Sequence, residues 1–389
     1  MSDGGRGKGL SRVVDLLPHG NDRPGSIAPG STTVASHRYT DSDFLAQEYT
    51  RVFRRAWLMA CPRWRLQRPG DRHVFDAAER SVLLVVGDDH RVRAFHNQCL
   101  HRGSRLVDST RRRRDRAQDL RCAYHGWTYR LDGQVVNAPR ADGFSRCDPN
   151  QMRLRPIACQ SWAGMVWINL GPSPPPLMDT LGGLADELAP YQIEQMEPIE
   201  ERNFRLPVNW KAGLENVTDY YHVSTVHQRT VHAHVRDGPD LTRLGDHTRQ
   251  TLYIAPYAWR RKLDVYCSRG GPYTEKQQSQ LHKYLIFPNL VLNVLPYHLT
   301  LMQWWPVTPR SSRLRYAFCL RRGAGTVERA RAWLSWAYSR VVLHEDIGVL
   351  AALQAGLDAS PPTEQPLHDE EAAAAHFHGV LDRWMESPE

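Results

Sequence analysis

Residues 99–103 read CLHRG and residues 122–127 read CAYHGW. Each stretch supplies one cysteine and one histidine, and a glycine follows closely. A [2Fe–2S] cluster in which two histidines replace two cysteines on one iron needs one such pair from each of two facing loops. The two stretches therefore predict a metal centre for electron transfer. The four predicted ligands are Cys99, His101, Cys122 and His125.

The sequence around these stretches, from about Trp57 to Leu170, has β character. Apolar segments at 81–86 and 92–95 flank Gly87-Asp88-Asp89, which is typical of a hairpin. A second hairpin is predicted at Asp132-Gly133. Both ligand stretches adjoin these hairpins, so we expect them in loops of a small β scaffold, where a partner can deliver electrons.

A second candidate metal site lies in a helix predicted near residues 209–227. Asp219 and His222 are three positions apart and share a helical face. His227 follows five positions later, about 140° around an ideal helix, so the helix must distort or end if both imidazoles converge. Two histidines and a carboxylate are the ligands of non-haem Fe(II) oxygenases. The pattern is weak alone, but a redox cluster in the same chain needs a destination for its electrons.

The third ligand of such a site should be a carboxylate from another part of the chain. Glu345 and Asp346 are adjacent acids in the apolar helical segment LHEDIGVLAALQAGL. Buried acids need a partner, so we favour Asp346 as a metal ligand, with surface exposure the alternative for Glu345. His232 and His234 compete as histidine ligands, although they follow the end of the apolar pattern.

The composition is that of an ordinary globular protein. Its 389 residues, 41% hydrophobic and 24% charged, suffice for two domains. No stretch approaches the roughly 18 apolar residues that span a membrane, and the N-terminus lacks the apolar core of a secretory signal. Seven scattered cysteines argue against a disulfide framework. We expect a cytoplasmic protein with no membrane partner.

The net charge of +8 decides little by itself. Nucleic acid is one partner of basic proteins, but no aromatic-interleaved basic patch or recognition helix supports it, and we expect none. The run Arg111–Arg114 fits a solvated loop or a docking site for an acidic redox partner. A structural zinc site is the alternative for the four-ligand set. Neither a zinc protein nor a nucleic-acid-binding module explains the second histidine–carboxylate site.

Together these motifs resemble the oxygenase α subunits of the Rieske non-haem iron oxygenases, also called aromatic-ring-hydroxylating oxygenases. The resemblance extends from about Asp43 to Met385. NWKAGLENVTDYYHVSTVH at 209–227 is similar to the iron-site helix of the family. EDIGVLAALQAGL at 345–357 is similar to its C-terminal ligand segment, and HDEEAAAAHFHGVL at 368–381 to its closing helix.

The resemblance implies an α+β fold, with a Rieske [2Fe–2S] β domain inserted ahead of a helix-grip catalytic domain. In the catalytic domain an antiparallel sheet wraps a long helix. The proline-rich segment 172–176 predicts the boundary between the two. We predict four parts: a mobile N-terminal segment at 1–37, a helix packing on the catalytic domain at 38–56, the Rieske domain at 57–171 and the mononuclear iron domain at 172–389.

The resemblance also assigns roles to the ligands. Cys99 and Cys122 would bind one iron of the cluster, and the two histidines the other. The mononuclear iron is assigned to His222, His227 and Asp346. Asp219 is then not a ligand. Instead it would bridge His125 of one subunit to His222 of the next by hydrogen bonds, as an electron path in a head-to-tail ring, commonly a homotrimer.

The implied function is that of the terminal oxygenase of a multicomponent system. The chain has no flavin or nicotinamide motif, so a ferredoxin, a flavin reductase or both would supply electrons. With O2, it would hydroxylate an aromatic or other small organic substrate. The alternative is N- or O-demethylation or oxidative cyclisation of a specialised metabolite. Residues predicted around the metals or the substrate are Asn216, Tyr124 and Trp127.

Aromatic side chains are further candidates for a substrate cavity, although on strands they more often belong to the core. The candidates are Trp304, Trp305, Tyr297, Tyr220 and Tyr253.

Overall fold

The structure is a computed structural model that describes residues 33–77, 79–108, 119–255, 279–295, 298–361 and 363–387. Residues 1–32, the run Arg111–Arg114 and Tyr297 lie outside these ranges. Among the described residues, no helix is both long and apolar enough to cross a membrane. The domain boundaries at 38, 57 and 172 stay predictions.

The first half of the described chain forms a six-stranded and a three-stranded antiparallel sheet. In spatial order the larger sheet consists of β2 (Leu58–Pro62), β10 (Met165–Asn169), β9 (Pro156–Trp162), β5 (Val92–His96), β4 (Arg80–Val86) and β3 (Arg72–Ala77). The smaller sheet consists of β6 (Asp119–Arg121), β7 (Thr128–Arg130) and β8 (Val135–Asn137).

Both predicted hairpins are confirmed, since β4 pairs with β5 and β7 pairs with β8. The second turn needs Gly133, whose φ is +89°. A Cβ at this position would also lie 2.8 Å from the Phe95 ring. The two ligand stretches lie in the loops on either side of β6, so one short strand links both halves of the predicted cluster site.

The second half forms a seven-stranded antiparallel sheet that faces the long C-terminal helix. In spatial order its strands are β11 (Met196–Leu206), β17 (Ser311–Arg321), β16 (His298–Thr308), β15 (Leu290–Val294), β14 (Gln280–Ile286), β13 (His247–Ile254) and β12 (Val235–Leu244). This sheet and helix form the expected helix-grip arrangement.

The sequence predicts one long strand at 285–295 and an irregular stretch at 232–280, and both predictions are wrong. The apolar run 285–295 is not one strand, because the chain turns at Phe287–Asn289 and Ile286 pairs with Leu290. The polar segment from 232 to 280 is not irregular throughout, since β12 and β13 pair within it. The first error arose because two buried strands in tandem read as one apolar run. The second arose because β12, at the sheet edge, carries many polar residues.

Seven α-helices lie in the described ranges, with a short sheet of β1 (Thr33–Ala35) and β18 (Glu364–Pro366). The helices are α1 (Ser42–Gln47), α2 (Leu177–Leu181), α3 (Leu184–Leu188), α4 (Trp210–Thr218), α5 (Val223–Val226), α6 (Thr326–Ala359) and α7 (Ala372–Glu386). A π-helical turn follows α1 at Glu48–Phe53. The helix predicted near 209–227 is therefore broken between α4 and α5.

A buried ion pair anchors the start of α4. Lys211 Nζ lies 2.7 Å from Glu48 Oε1, and both side chains are fully buried. Trp210 Nε1 donates to the other carboxylate oxygen at 3.0 Å. The side chain of Asn209 caps the helix by accepting from the Lys211 amide. An unpaired charge at this buried position would be costly, so these contacts fix the start of α4. The same helix ends at Asp219.

Helix α4 also packs very closely on β16. A Cβ at Gly213 would lie 2.2 Å from the Trp304 ring, which is itself buried. The absence of a side chain at this position lets the helix approach the sheet.

We expect Gly213→Ala to destabilise the protein, by about 1–3 kcal/mol from overpacking, although alanine is the better helix former. Gly356→Ala in α6 is the matched control, because a Cβ there meets nothing within 4 Å. The control should be neutral or stabilising by up to about 1 kcal/mol. Midpoints of thermal unfolding measure both, and a rise in both variants would contradict the packing argument.

Candidate functional site

Two loops of matching geometry form the predicted cluster site. In the first, the Gly103 amide donates to the Cys99 carbonyl at 3.0 Å, and in the second, the Gly126 amide donates to the Cys122 carbonyl at 3.1 Å. Both glycines have positive φ, +74° and +76°. This backbone conformation favours glycine, which explains why a glycine follows each ligand pair.

The donor atoms of these loops fit the predicted cluster. Cys99 and Cys122 are both buried, and the ring centroids of His101 and His125 are 4.6 Å apart. The Nδ1 atom of His101 is buried without a hydrogen-bond partner among the described residues. Two thiolates and two imidazoles, one of them with an unpartnered buried nitrogen, suit a His-ligated [2Fe–2S] cluster.

Aromatic side chains surround this site. The predicted neighbours are present: Trp127 stacks on His101 with centroids 5.4 Å apart, and Tyr124 stacks on His125 at 3.8 Å. Tyr129 is a further neighbour, which the sequence did not predict. Its hydroxyl accepts from the Leu100 amide at 3.0 Å and lies 3.1 Å from Cys99 Sγ. A cysteine bound to iron as a thiolate can only accept, so the Tyr129 hydroxyl would then donate to the sulfur, an interaction that tunes cluster potentials.

The second site forms where the helix breaks. Asp219 ends α4, His222 precedes α5, and His227 follows it. This break brings the ring centroids of the two histidines to 5.0 Å. Asp346 reaches them from α6, with its Oδ1 atom 3.5 Å from His222 Nε2 and 2.9 Å from His227 Nε2.

The donor atoms of these three residues lie within 4.8 Å of one another, close enough to share a single metal ion. His234 instead lines the neighbouring cavity, and His232 is exposed.

A carboxylate holds the outer nitrogen of each imidazole. His222 Nδ1 lies 2.9 Å from Asp219 Oδ2, and His227 Nδ1 lies 2.7 Å from Glu345 Oε2. Thr230 Oγ1 donates to the same Glu345 oxygen at 2.7 Å. Glu345 is thus engaged with the site rather than free on the surface. Such contacts orient a ligand histidine and raise its basicity.

The electrostatics suit a cation. Burial disfavours a charged His222, but hydrogen bonds to Asp219 and Asp346 outweigh it and raise the pKa of His222 to about 9. Burial also acts to raise the pKa of Asp346, but the hydrogen bonds from His222 and His227 hold it below its ordinary value. Metal binding at such a site displaces the imidazole proton.

A cavity of about 160 Å³ adjoins the three residues. Asn216 and Tyr220 line it as expected, and the Oδ1 atom of Asn216 is buried without a partner among the described residues. Trp304 and Trp305 instead belong to the hydrophobic core. Tyr253 is partly exposed, and its hydroxyl donates to Asp240.

Two family models match the chain. The Rieske [2Fe–2S] domain matches residues 56–153, and the ring hydroxylating alpha subunit (catalytic domain) matches residues 193–387, half of the chain. The chain belongs to the ring-hydroxylating oxygenase α-subunit family. It is the terminal oxygenase subunit of a Rieske oxygenase, with a [2Fe–2S] cluster and a mononuclear iron as cofactors.

Relatives of this Rieske oxygenase subunit have known activities. It is 25% identical over 361 residues to the carnitine monooxygenase oxygenase subunit of Escherichia coli K12, covering 90% of this chain and 92% of the relative. It is 32% identical over 189 residues to the glycine betaine monooxygenase oxygenase subunit of Chromohalobacter salexigens, and the match covers 49% of this chain and 42% of the relative. The chlorobenzene dioxygenase α subunit of a Cupriavidus strain is 31% identical over 227 residues, and the match covers 56% of this chain and 50% of the relative.

Solved structures share the fold of the subunit. A quaternary ammonium Rieske monooxygenase in complex with L-carnitine superposes with a TM-score of 0.75 at 21% identity, covering 92% of this chain and 97% of that one. Naphthalene 1,2-dioxygenase from Rhodococcus sp. bound to indole superposes with a TM-score of 0.73 at 20% identity, and the match covers 92% of this chain and 95% of that one. The predicted fold class is confirmed.

We expect Glu345→Gln to weaken Fe(II) binding by about 10–100-fold, because the variant loses the carboxylate that orients His227. Competition with a chelator measures the dissociation constant. Glu364→Gln, on the exposed strand β18, is the control and should bind Fe(II) like the wild type. Unchanged affinity in Glu345→Gln would mean that this carboxylate does not support the ligand.

Proposed function

We propose that this subunit hydroxylates a small organic substrate in the cavity beside His222, His227 and Asp346. The observation that carries the proposal is the convergence of two imidazoles and one carboxylate at the wall of a mostly apolar cavity. A facial triad of this kind leaves positions open for O2 and substrate.

The predicted ligand sets belong to the same proposal. The cluster would be held by Cys99, His101, Cys122 and His125, and the mononuclear iron by His222, His227 and Asp346. When bound, the two groups supply electron transfer and the activation of O2. Asp219 and Glu345 hold the outer nitrogens of the two histidines, so that both Nε2 atoms face Asp346.

The size of the cavity limits the substrate. At about 160 Å³ it is comparable to cavities of roughly 150 Å³ that bind benzene. A single ring or a compact acyclic molecule therefore fits. The relatives named for carnitine, glycine betaine and chlorobenzene support a small substrate. They do not favour the alternative of demethylating or cyclising a specialised metabolite.

Electrons would enter at the cluster loops and leave through a neighbouring subunit. His125 and its stacking partner Tyr124 are exposed, which supports contact of this face with Asp219 of a neighbouring subunit. At the iron site, the His222 side chain is 16% exposed and that of His227 only 3%. His222 and its partner Asp219 are thus the more accessible pair, which supports an inter-subunit path in a homotrimer.

Two ligand variants test the proposed function. We expect Cys122→Ser to lose the EPR signal of the reduced cluster and keep Fe(II) binding. We expect His222→Ala to keep the cluster signal and to lose Fe(II) affinity by more than about 100-fold. Both should lose O2-dependent product formation with a surrogate reductase and a panel of small substrates. A wild-type protein without a His-ligated cluster signal would refute the proposal.

Asp219→Asn tests the electron path. The variant keeps the side-chain shape and removes the charge that holds His222, so we expect Fe(II) affinity to fall by about 10–100-fold, as in Glu345→Gln. The assay therefore uses enough Fe(II) to keep the mononuclear site filled, with the cluster in place. Stopped-flow reoxidation of the reduced cluster by O2, with substrate present, should slow by about 100-fold. Asp186→Asn, an exposed acid on α3, is the control and should react at the wild-type rate. A wild-type rate in Asp219→Asn would exclude this path.

A further inference from the structure

Three polar side chains form a row across the sheet that walls the cavity. Lys283 on β14 lies directly opposite Asn293 on β15, and Asn293 lies directly opposite Thr300 on β16. Residues paired in this way have Cβ atoms about 4.5–5.5 Å apart and side chains on the same face. All three line the cavity, and many of their neighbours there are apolar.

Lys283 brings a positive charge to this wall. Its ammonium group donates to the Val217 carbonyl, which leaves two further N–H donors. No ion pair between described residues includes Lys283, so its charge has no carboxylate in contact there. Burial lowers the pKa of Lys283 to about 8, a value at which the group is still mostly protonated at pH 7.

The neighbouring groups add hydrogen-bonding capacity. The Oδ1 atom of Asn293 is buried and has no partner among the described residues. An amide rotation of this side chain presents its Nδ2 donors at the same place. Thr300, whose side chain carries a hydroxyl, is only 5% exposed and follows next in the row. One ammonium, one amide and one hydroxyl side by side match the two oxygens of a carboxylate.

The acids of the described wall do not suit a substrate cation. They are Asp219 and Asp346, and each is hydrogen-bonded to a histidine of the proposed iron site. Asp346 and Asp219 also act on the charge of Lys283 without contacting it. Among the described residues of the wall, a substrate ammonium group would thus meet Lys283 and find both carboxylates already engaged. The charge distribution favours an anionic group at the sheet wall.

We propose that Lys283, Asn293 and Thr300 form a binding site for a carboxylate group of the substrate. The inference rests on the proposed function, because it concerns the substrate of the same cavity. A carboxylate held at this row would set which carbon faces His222 and Asp346. Lys283 would then determine the specificity of the enzyme for carboxylates.

Binding to the metal-loaded protein, without O2 or reductant, tests the proposal. The probes are two pairs that differ at one group: benzoate with benzamide, and glycine betaine with choline. We expect the carboxylate of at least one pair to bind at least about tenfold more tightly than its partner by calorimetry, equivalent to about 1.4 kcal/mol. Lys283→Gln should abolish this difference, whereas Lys283→Arg should retain it.

The variants distinguish an effect of the Lys283 charge on binding from an effect of the substitution on folding. Glutamine can still donate to the Val217 carbonyl, so we expect Lys283→Gln to keep benzamide binding, the thermal midpoint, the EPR signal of the reduced cluster and the Fe(II) content. Arg205→Gln removes one charge from an exposed position of the same sheet and should not change the carboxylate preference. Stronger binding of benzamide and choline would overturn the proposal, as would an equal loss of benzoate and benzamide binding in Lys283→Gln.

Failure of this inference is distinguishable from failure of the proposed function. A protein with the EPR signal of the reduced cluster, bound Fe(II) and O2-dependent product formation, but without a carboxylate preference, would overturn the carboxylate site alone. A protein without the cluster signal would refute the proposed function, whatever its ligand preference.

Discussion

The imidazoles of His222 and His227 and the carboxylate of Asp346 lie close together, and the rest of the catalytic half of the structure holds them there. His227 and Asp346 are 119 positions apart, so the contact between them depends on how α6 packs over the sheet. The break between α4 and α5 turns His222 and His227 toward the same carboxylate. The buried Lys211–Glu48 pair and the close approach at Gly213 hold α4 in the place where this break can occur.

The two metal sites are built in different ways. The cluster loops are local: hydrogen bonds between residues four apart close each loop, and a glycine with positive φ completes the turn. The iron site is assembled from distant elements, and its histidines depend on the outer carboxylates of Asp219 and Glu345. Such a site tolerates little movement of α4 or α6 relative to the sheet, because both the ligands and their supports would separate.

Local pattern predicted some elements well and others poorly. The hairpins next to the cluster loops and the long helix α6 were predicted, because their turn residues and apolar periodicity are local signals. The run 285–295 was misread, because two buried strands in tandem have no alternation that separates them. Trp304 was a cavity candidate, yet it packs under Gly213. Aromatic character alone does not distinguish a core position from a cavity wall.

The sequence by itself determined the candidate ligands and their spacing, and from these it predicted the family, because cysteine and histidine pairs beside glycine are chemically specific. It also indicated that the helix carrying His222 and His227 must distort. Only the tertiary structure decided the role of Glu345 and the row of Lys283, Asn293 and Thr300. The physical reason is register: which residues face each other across strands depends on long-range pairing, and no local pattern in the chain encodes it.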